Sequence, residues 1–333
     1  MGDTLKGKVA VVTGSGQGIG RAVAIGLAKE GARLITNNRR PGGTGFAILN
    51  EADVEHYSKE QKEYLQRQAS EAMGDAKTVA DEIKAMGGEA VPFFGDVTDF
   101  QVSGKLIQTA VDRFGRIDIL VNVAGAFGFS PVWEMTERTW DRVASIKPKS
   151  YFNTTRHAAP HMIEQKWGRI INTTALAFLG MVNHCNYSAA NAGVIGLTRA
   201  VAKELFKYGI TCNAFSPLAT TRASYEVVAL LKEKAGTDEF TPVPAAALER
   251  FMSFPDPESI APLIVYLASE TAGGVSGSVF HIRGGNIGLY SEPEIKKVIE
   301  KKDGWWTIDE LMIQMPKVLL DGYKSIAPNP YPG

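Results

Sequence analysis

The stretch from Lys8 to Gly31 constrains the fold more than any other. KVAVVTG (Lys8–Gly14) is a short apolar run closed by glycine, the pattern of a strand buried on both faces of a parallel sheet. It runs directly into Ser15-Gly16-Gln17-Gly18-Ile19-Gly20 and then into a helix, Arg21–Glu30, which Gly31 ends. Strand, glycine-rich turn and helix together hold a dinucleotide for physical reasons. Gly14 makes the tight turn, Gly18 lets the backbone approach a pyrophosphate, and Gly20 lets helix and strand pack closely. The helix N-terminus attracts the anion. A glycine-rich turn alone is weak evidence, so the flanking strand and helix carry the argument.

The same alternation continues down the chain. Arg33–Thr36 reads as a second strand, followed by Asn37-Asn38-Arg39-Arg40. An acid at the Asn38 position would bond a ribose 2′-hydroxyl. Here it is missing and two guanidinium groups, which suit a 2′-phosphate, follow. NADP(H) is therefore the expected cofactor, with NAD(H) admissible. An insertion spans 41–74, where Val54, Tyr57, Tyr64, Leu65, Ala69 and Ala72 fall near helical spacing. Helix Asp75–Met86, strand Ala90–Phe93, helix Asp99–Phe114 and strand Asp118–Asn122 come next. Thr136–Ile163 reads as a long helix broken at Lys147-Pro148-Lys149, because proline removes a helical hydrogen bond. Strands Arg169–Thr173, Ile210–Phe215 and Ser278–Ile282 and helix Asp256–Ser269 complete the pattern. The expected fold is α/β, a single Rossmann-type doubly wound domain over 1–285. Its seven-stranded parallel sheet has helices on both faces. Residues 286–333 form an extension expected to be helical and packed on the core or a neighbouring subunit. It carries two capping-box patterns, Ser291-x-x-Glu294 and Thr307-x-x-Glu310.

Charge narrows the function classes. The 333 residues balance 36 Lys and Arg against 36 Asp and Glu, so no basic excess suits nucleic acid or a membrane surface. The two cysteines, Cys185 and Cys212, fit no metal-ligand spacing; no metal is expected, and a cytoplasmic, reducing location is. No apolar run reaches transmembrane length, and the N-terminus lacks a signal-peptide core.

Asn186–Ala200, NYSAANAGVIGLTRA, resembles the active-site helix of the short-chain dehydrogenase/reductases, the family of Tyr-x-x-x-Lys. Together with the T-G-x-x-x-G-I-G wording of the glycine turn, the resemblance covers about Gly7–Gly285. Longer members, such as bacterial 3-oxoacyl reductases and the hydroxyacyl-CoA dehydrogenase domain of multifunctional β-oxidation enzymes, are the nearest in style. The resemblance implies a cofactor set of Gly14, Ser15, Gln17, Gly18, Ile19, Gly20, Asn38, Arg39 and Arg40. It adds Asp96 and Val97 beside adenine, and Asn122, Ala124 and Gly125 beside the ribose. Pro217, Thr220 and Thr221, in a loop where Leu218 replaces the family's glycine, belong to it as well. Tyr187 stands at the proton-donor position, and Thr174, thirteen residues earlier, at the catalytic serine position. Phe127, Phe129, Phe178, His184 and Cys185 are the expected substrate pocket, with Arg222–Met252 as a lid.

Two positions depart from the family together. Asn191 stands where the resemblance implies the catalytic lysine, and Lys147 where it implies an asparagine that reaches that lysine through a water. A lysine ammonium beside the tyrosine favours phenolate, which a neutral asparagine cannot do. The expectation is that Lys147 supplies the charge from the other helix, giving a rearranged Thr174/Tyr187/Lys147/Asn191 site. The alternative is that Lys147 snorkels to solvent. Three function classes follow. The first is an NADP-dependent oxidoreductase interconverting a ketone and a secondary alcohol, of cyclic-ketone or 3-oxoacyl-thioester type. The second is a silent cofactor-binding subunit partnering an active paralogue. The third is a non-redox lyase or hydratase using Tyr187 and Thr174. The resemblance also implies a homo-oligomer, a tetramer or dimer, with Trp305 and Trp306 covered by another subunit.

Overall fold

The computed structural model describes residues 2–42, 59, 62–63, 74–128, 130–224, 226 and 253–327. Most of the 41–74 insertion, Phe129, nearly all of the 222–252 lid and the Pro328–Pro332 tail lie outside the described residues. The strands are β1 (Val9–Thr13), β2 (Arg33–Asn38), β3 (Ala90–Phe94), β4 (Ile119–Asn122), β5 (Gly168–Thr173), β6 (Ile210–Pro217), β7 (Val279–Arg283) and β8 (Asn286–Leu289). They form one sheet in the order β3-β2-β1-β4-β5-β6-β7-β8. Every neighbouring pair is parallel except β7 and β8. The helices of the described residues that cover it are α1 (Gly18–Lys29), α2 (Ala76–Ala85), α3 (Phe100–Phe114), α4 (Glu137–Ala144), α5 (Ser150–Gln165), α6 (Cys185–Leu205) and α7 (Ala261–Ala268).

Two apolar layers explain why the strands read as unbroken apolar runs. Alternate residues of one strand feed opposite faces, as the two-residue period of a strand requires. Ala10 and Val12 join Val23, Leu27, Ile83, Leu263 and Ile264 on one face. Val9 and Val11 join Leu106, Ile107, Met162, Val201 and Leu205 on the other. Ile119 and Val121 likewise face the first layer, and Leu120 the second.

Three features differ from the sequence expectation. The sheet has eight strands rather than seven. The extra one, β8, turns back antiparallel on β7, with Arg283 opposite Asn286, so a core boundary at 285 cuts off the edge strand. The Ser291 capping-box pattern starts no helix. Ile295 and Val298 are 83% and 69% exposed, and a short helix with no face to bury is not stable. The second pattern does close, with Thr307 and Glu310 capping α8 (Ile308–Gln314) reciprocally. The extension is thus only partly helical. Trp305 is 92% exposed within the chain, and contact with the body includes an Arg199–Glu292 ion pair at 2.9 Å and the Tyr290 ring against Phe178.

A buried polar chain crosses the middle of the sheet. Thr154 Oγ1 donates to Asn122 Oδ1 at 2.7 Å, Asn122 Nδ2 to Asn172 Oδ1 at 2.9 Å, and Asn172 Nδ2 to Thr198 Oγ1 at 3.0 Å. It joins α5, β4, β5 and α6 without exposing a polar atom. Removing its central member strands buried partners on both sides. Asn172→Ala is therefore expected to lower unfolding stability by about 2–4 kcal/mol. Chemical denaturation followed by circular dichroism checks it; a loss under about 1 kcal/mol, the net value of an ordinary hydrogen bond, contradicts the network's role.

Candidate active site

The carboxyl ends of β1, β4 and β5 meet at one corner. Thr13 Oγ1 accepts from Val123 N at 3.0 Å and Ala124 N at 3.2 Å, tying the two strand ends together. Gly14 has φ +64°, and a Cβ there would stand 2.9 Å from Ala124 Cα, so both conformation and contact demand glycine. A Cβ at Gly20 would strike the Gly14 carbonyl, which is the close helix–strand packing expected of it. A Cβ at Gly18 would meet Thr221 at 3.5 Å, so the loop after β6 folds over the glycine turn. Thr220 anchors that loop, its hydroxyl donating to Phe254 O at 2.7 Å. Ser15 and Asn37 exchange backbone and hydroxyl bonds that fix the turn against β2. Asp96 accepts from Thr98 at the end of β3, and Val97 is buried with its carbonyl bonded by Asn153. Glycine cradle, helix N-terminus and exposed Gly125 together fit a bound dinucleotide. Asn122 does not offer its side chain to this corner, being engaged inside the polar chain with Thr154 and Asn172.

Lys147 reaches the same corner from the far side. It lies in a π-helical turn, Ser145–Lys149, between α4 and α5. Pro148 has no N–H to donate, and the widened turn accommodates it. The side chain is 3% exposed, which rules out snorkelling. Its Nζ donates to Thr173 O at 2.9 Å, and a Cβ at Gly125 would stand 3.3 Å from its Cε. Burial pulls its pKa down to about 7. Tyr151, one turn on and unremarked in the sequence, lies below it. The Tyr151 hydroxyl is bonded to Ala124 O at 3.1 Å and Thr173 O at 3.3 Å, and burial raises its pKa. Its sequence signal was an aromatic four residues after an intrahelical lysine.

Tyr187 is 6% exposed near the start of α6 and stacks on Phe127, with ring centroids 4.2 Å apart. The Lys147 Nζ lies 6.0 Å from the centre of the Tyr187 ring. Burial raises the Tyr187 pKa, and the Asn191 amide pulls the other way. Asn191 donates to Tyr187 O at 2.7 Å, while its buried Oδ1 has no partner among the described residues. The Thr174 hydroxyl is engaged within the protein. It is 1% exposed and donates to Asn191 O at 3.1 Å. The residue that packs in the Tyr187 cluster is Ala175, which has no hydroxyl.

The expected substrate pocket is only partly assembled. Phe127 and His184 lie beside Tyr187, and Cys185 follows at the start of α6 with its Sγ 3.6 Å from Met135 Sδ. Burial lowers the His184 pKa, and the ring pairs with Val182 O at 2.8 Å. Phe178 instead packs edge-on against Tyr290, in a separate cluster with Ile195, Ala214 and Val279. Arg39 and Arg40 are exposed past the end of β2. Among the described residues no helix is long and apolar enough to cross a membrane, and no His, Cys, Asp and Glu cluster could hold a metal.

Comparison with known proteins agrees with this geometry. The family model for short chain dehydrogenases matches residues 54–228. The chain is 32% identical to the peroxisomal hydratase-dehydrogenase-epimerase of Neurospora crassa over 84% of its own length and 26% of that protein, so it spans about a quarter of that relative. It is 32% identical to the 3-oxoacyl-[acyl-carrier-protein] reductase FabG of Thermotoga maritima, over 85% of this chain and 99% of that one. A crystal structure of a short chain dehydrogenase from Mycobacterium avium superposes with a TM-score of 0.72, at 33% identity and 95% coverage of both chains. The chain belongs to the short-chain dehydrogenase/reductase family, a family that works with NAD(P)(H).

Proposed function

We propose that this protein interconverts a 3-oxoacyl thioester and the corresponding 3-hydroxyacyl thioester, with Tyr187 as proton donor and acceptor and Lys147 as the cation that assists it. The single observation that carries the reading is the burial of Lys147 between Thr173 O and Gly125, 6.0 Å from the centre of the Tyr187 ring. A buried amine with no ion-pair partner among the described residues is costly, and a buried titratable group of this kind marks a functional-site candidate. The substrate class is supported by the similarity to the 3-oxoacyl-[acyl-carrier-protein] reductase of Thermotoga maritima and by the apolar surroundings of Tyr187, with Phe127 stacked on it and Met181 nearby.

The roles divide as follows. A nicotinamide dinucleotide held at the Gly14–Gly20 turn would supply or accept the hydride at the substrate carbon. Tyr187 gives its phenolic proton to the developing alkoxide, or takes it back in the reverse direction. The Lys147 ammonium lowers the cost of the phenolate against the burial that raises it. Asn191 fixes α6 through its bond to Tyr187 O, and Thr174 fixes it through its bond to Asn191 O. With the Thr174 hydroxyl committed to Asn191 O, the substrate oxygen depends on Tyr187 among these groups. Exposed Arg39 and Arg40 support NADP(H), but Asp75 places a carboxylate close to the same strand end, and the balance of these charges decides the dinucleotide.

Two outcomes test the reading. Lys147→Ala and Tyr187→Phe should each lower kcat for 3-oxoacyl thioester reduction by about 100-fold or more, the usual worth of a positioned acid–base group. Dinucleotide affinity should move little. Turnover unchanged in Lys147→Ala contradicts the role and is the behaviour of a subunit whose Lys147 is only structural.

The pH profile follows from the Lys147 pKa near 7. Reduction needs both the ammonium and the protonated phenol, and the amine loses its proton first. The reductive kcat/KM should therefore be flat below pH about 7 and fall about tenfold per pH unit above it; a profile flat to pH 9 excludes a titrating Lys147. Stability has the opposite sign. The folded-state pKa lies below the unfolded one, so the unfolded chain binds more protons between about 7 and 10.4 and stability rises with pH across that window.

A further inference from the structure

The adenosine end of the proposed dinucleotide site holds a carboxylate that the sequence pattern places far from it. Asn38 closes β2 where an acid would meet the ribose. It is 3% exposed, and its Oδ1 has no partner among the described residues. Beside it lies Gly16 of the glycine turn. A Cβ at Gly16 would collide with Asn38 Oδ1 and stand 2.6 Å from Asp75 Cα. A Cβ at Gly74 would in turn collide with the Gly16 carbonyl. The chain returning from the 41–74 insertion thus lays its backbone directly against the turn, bringing Gly16, Asn38 and Asp75 to one corner.

The Asp75 carboxylate is held there rigidly. Oδ1 accepts from Lys77 N and Thr78 N at 2.9 Å each, and Oδ2 accepts from Gly42 N at 2.9 Å. Thr78 completes a capping box at the start of α2, and Thr36 Oγ1 ties β2 to Ala76 O at 2.6 Å. Burial raises the Asp75 pKa, but the amides of Gly42, Thr78 and Lys77 outweigh it and hold the carboxyl below its usual range. Two carboxylate oxygens offer about four acceptor sites, and the backbone fills three.

We propose that Asp75 replaces the acid missing from the end of β2, accepting a hydrogen bond from the adenosine ribose and setting a preference for NAD(H) over NADP(H). The orphaned Asn38 Oδ1 lies in the same corner, against Gly16. A 2′-phosphate brings about −1.5 to −2 charges against a fixed carboxylate, and like charges at short range repel. Arg39 and Arg40 lie beyond it, exposed past the strand end, where solvent screens their attraction. The proposal rests on the dinucleotide reading of the glycine turn.

Isothermal titration of the intact protein with NAD+ and NADP+ tests it, with no turnover required. The wild type should bind NAD+ about tenfold or more tighter than NADP+, the scale of one charge-assisted hydrogen bond. Asp75→Asn keeps an effective helix N-cap and should fold, which a thermal melt verifies. It should weaken NAD+ and tighten NADP+, narrowing the ratio to within about threefold. Arg39→Ala should leave the ratio nearly unmoved. A wild type that prefers NADP+, or a ratio unchanged in Asp75→Asn, overturns the proposal while leaving the dinucleotide reading intact. Binding of neither dinucleotide overturns both.

Discussion

The hydrogen-bonded chain Thr154–Asn122–Asn172–Thr198 is the interaction on which the site depends. It runs through the middle of the sheet and fixes two helices, α5 and α6, to adjacent strands. Each bond is buried, so an open member leaves a partner unsatisfied in a low-dielectric interior, where such a group is most costly. Those two helices position the groups proposed for the chemistry. The π turn carrying Lys147 leads straight into α5, and Tyr187 lies in the first turns of α6. An error of an ångström in either would separate amine and phenol, and a network with no alternative pairing holds them to one geometry.

Lys147 shows the opposite economy. Its position lowers the stability of the chain, because no ionised group among the described residues pairs with it and burial drives its pKa down to about 7. The amine has Thr173 O as hydrogen-bond acceptor and Tyr151 below, with its Nζ 5.6 Å from the Tyr151 ring centre. The π turn is the local distortion that lets it point inward, and Pro148 is the residue that disfavours a regular turn there. Unusual backbone, a buried titratable group and an exposed glycine edge coincide at one corner. In a fold that is otherwise regular, sites of this kind are where local rules are broken for function.

Much of this was legible in the sequence, and the exceptions have physical causes. The strands announced themselves because both faces of the sheet are covered, so each run stays apolar. The glycine roles followed from turn geometry, and Gly14 and Gly20 behave as read. β8 was missed because a four-residue edge strand, with Ile287 and Leu289 exposed, carries little apolar signal. Thr174 matches by its spacing from Tyr187, but hydroxyl direction depends on where β5 ends, and here it bonds Asn191 O while Ala175 joins the apolar cluster that holds Tyr187. Phe178 was assigned by composition to a pocket, whereas its partner, Tyr290, comes from beyond the family core. Asp75 could not be foreseen beside Gly16 and Asn38, because a long insertion separates it in sequence from the strand end it abuts.

The central claim is that lysine and asparagine have exchanged places across one site while keeping one chemistry. A double-mutant cycle tests it most directly, in steady-state reduction of a 3-oxoacyl thioester. The account predicts that Lys147→Asn and Asn191→Lys each lower kcat by about 100-fold, the first by removing the charge and the second by crowding two ammonium groups. The double variant should recover to within about tenfold of wild type, because it rebuilds the usual arrangement. A double variant no better than the worse single variant contradicts the exchange, as does an Asn191→Lys protein faster than wild type.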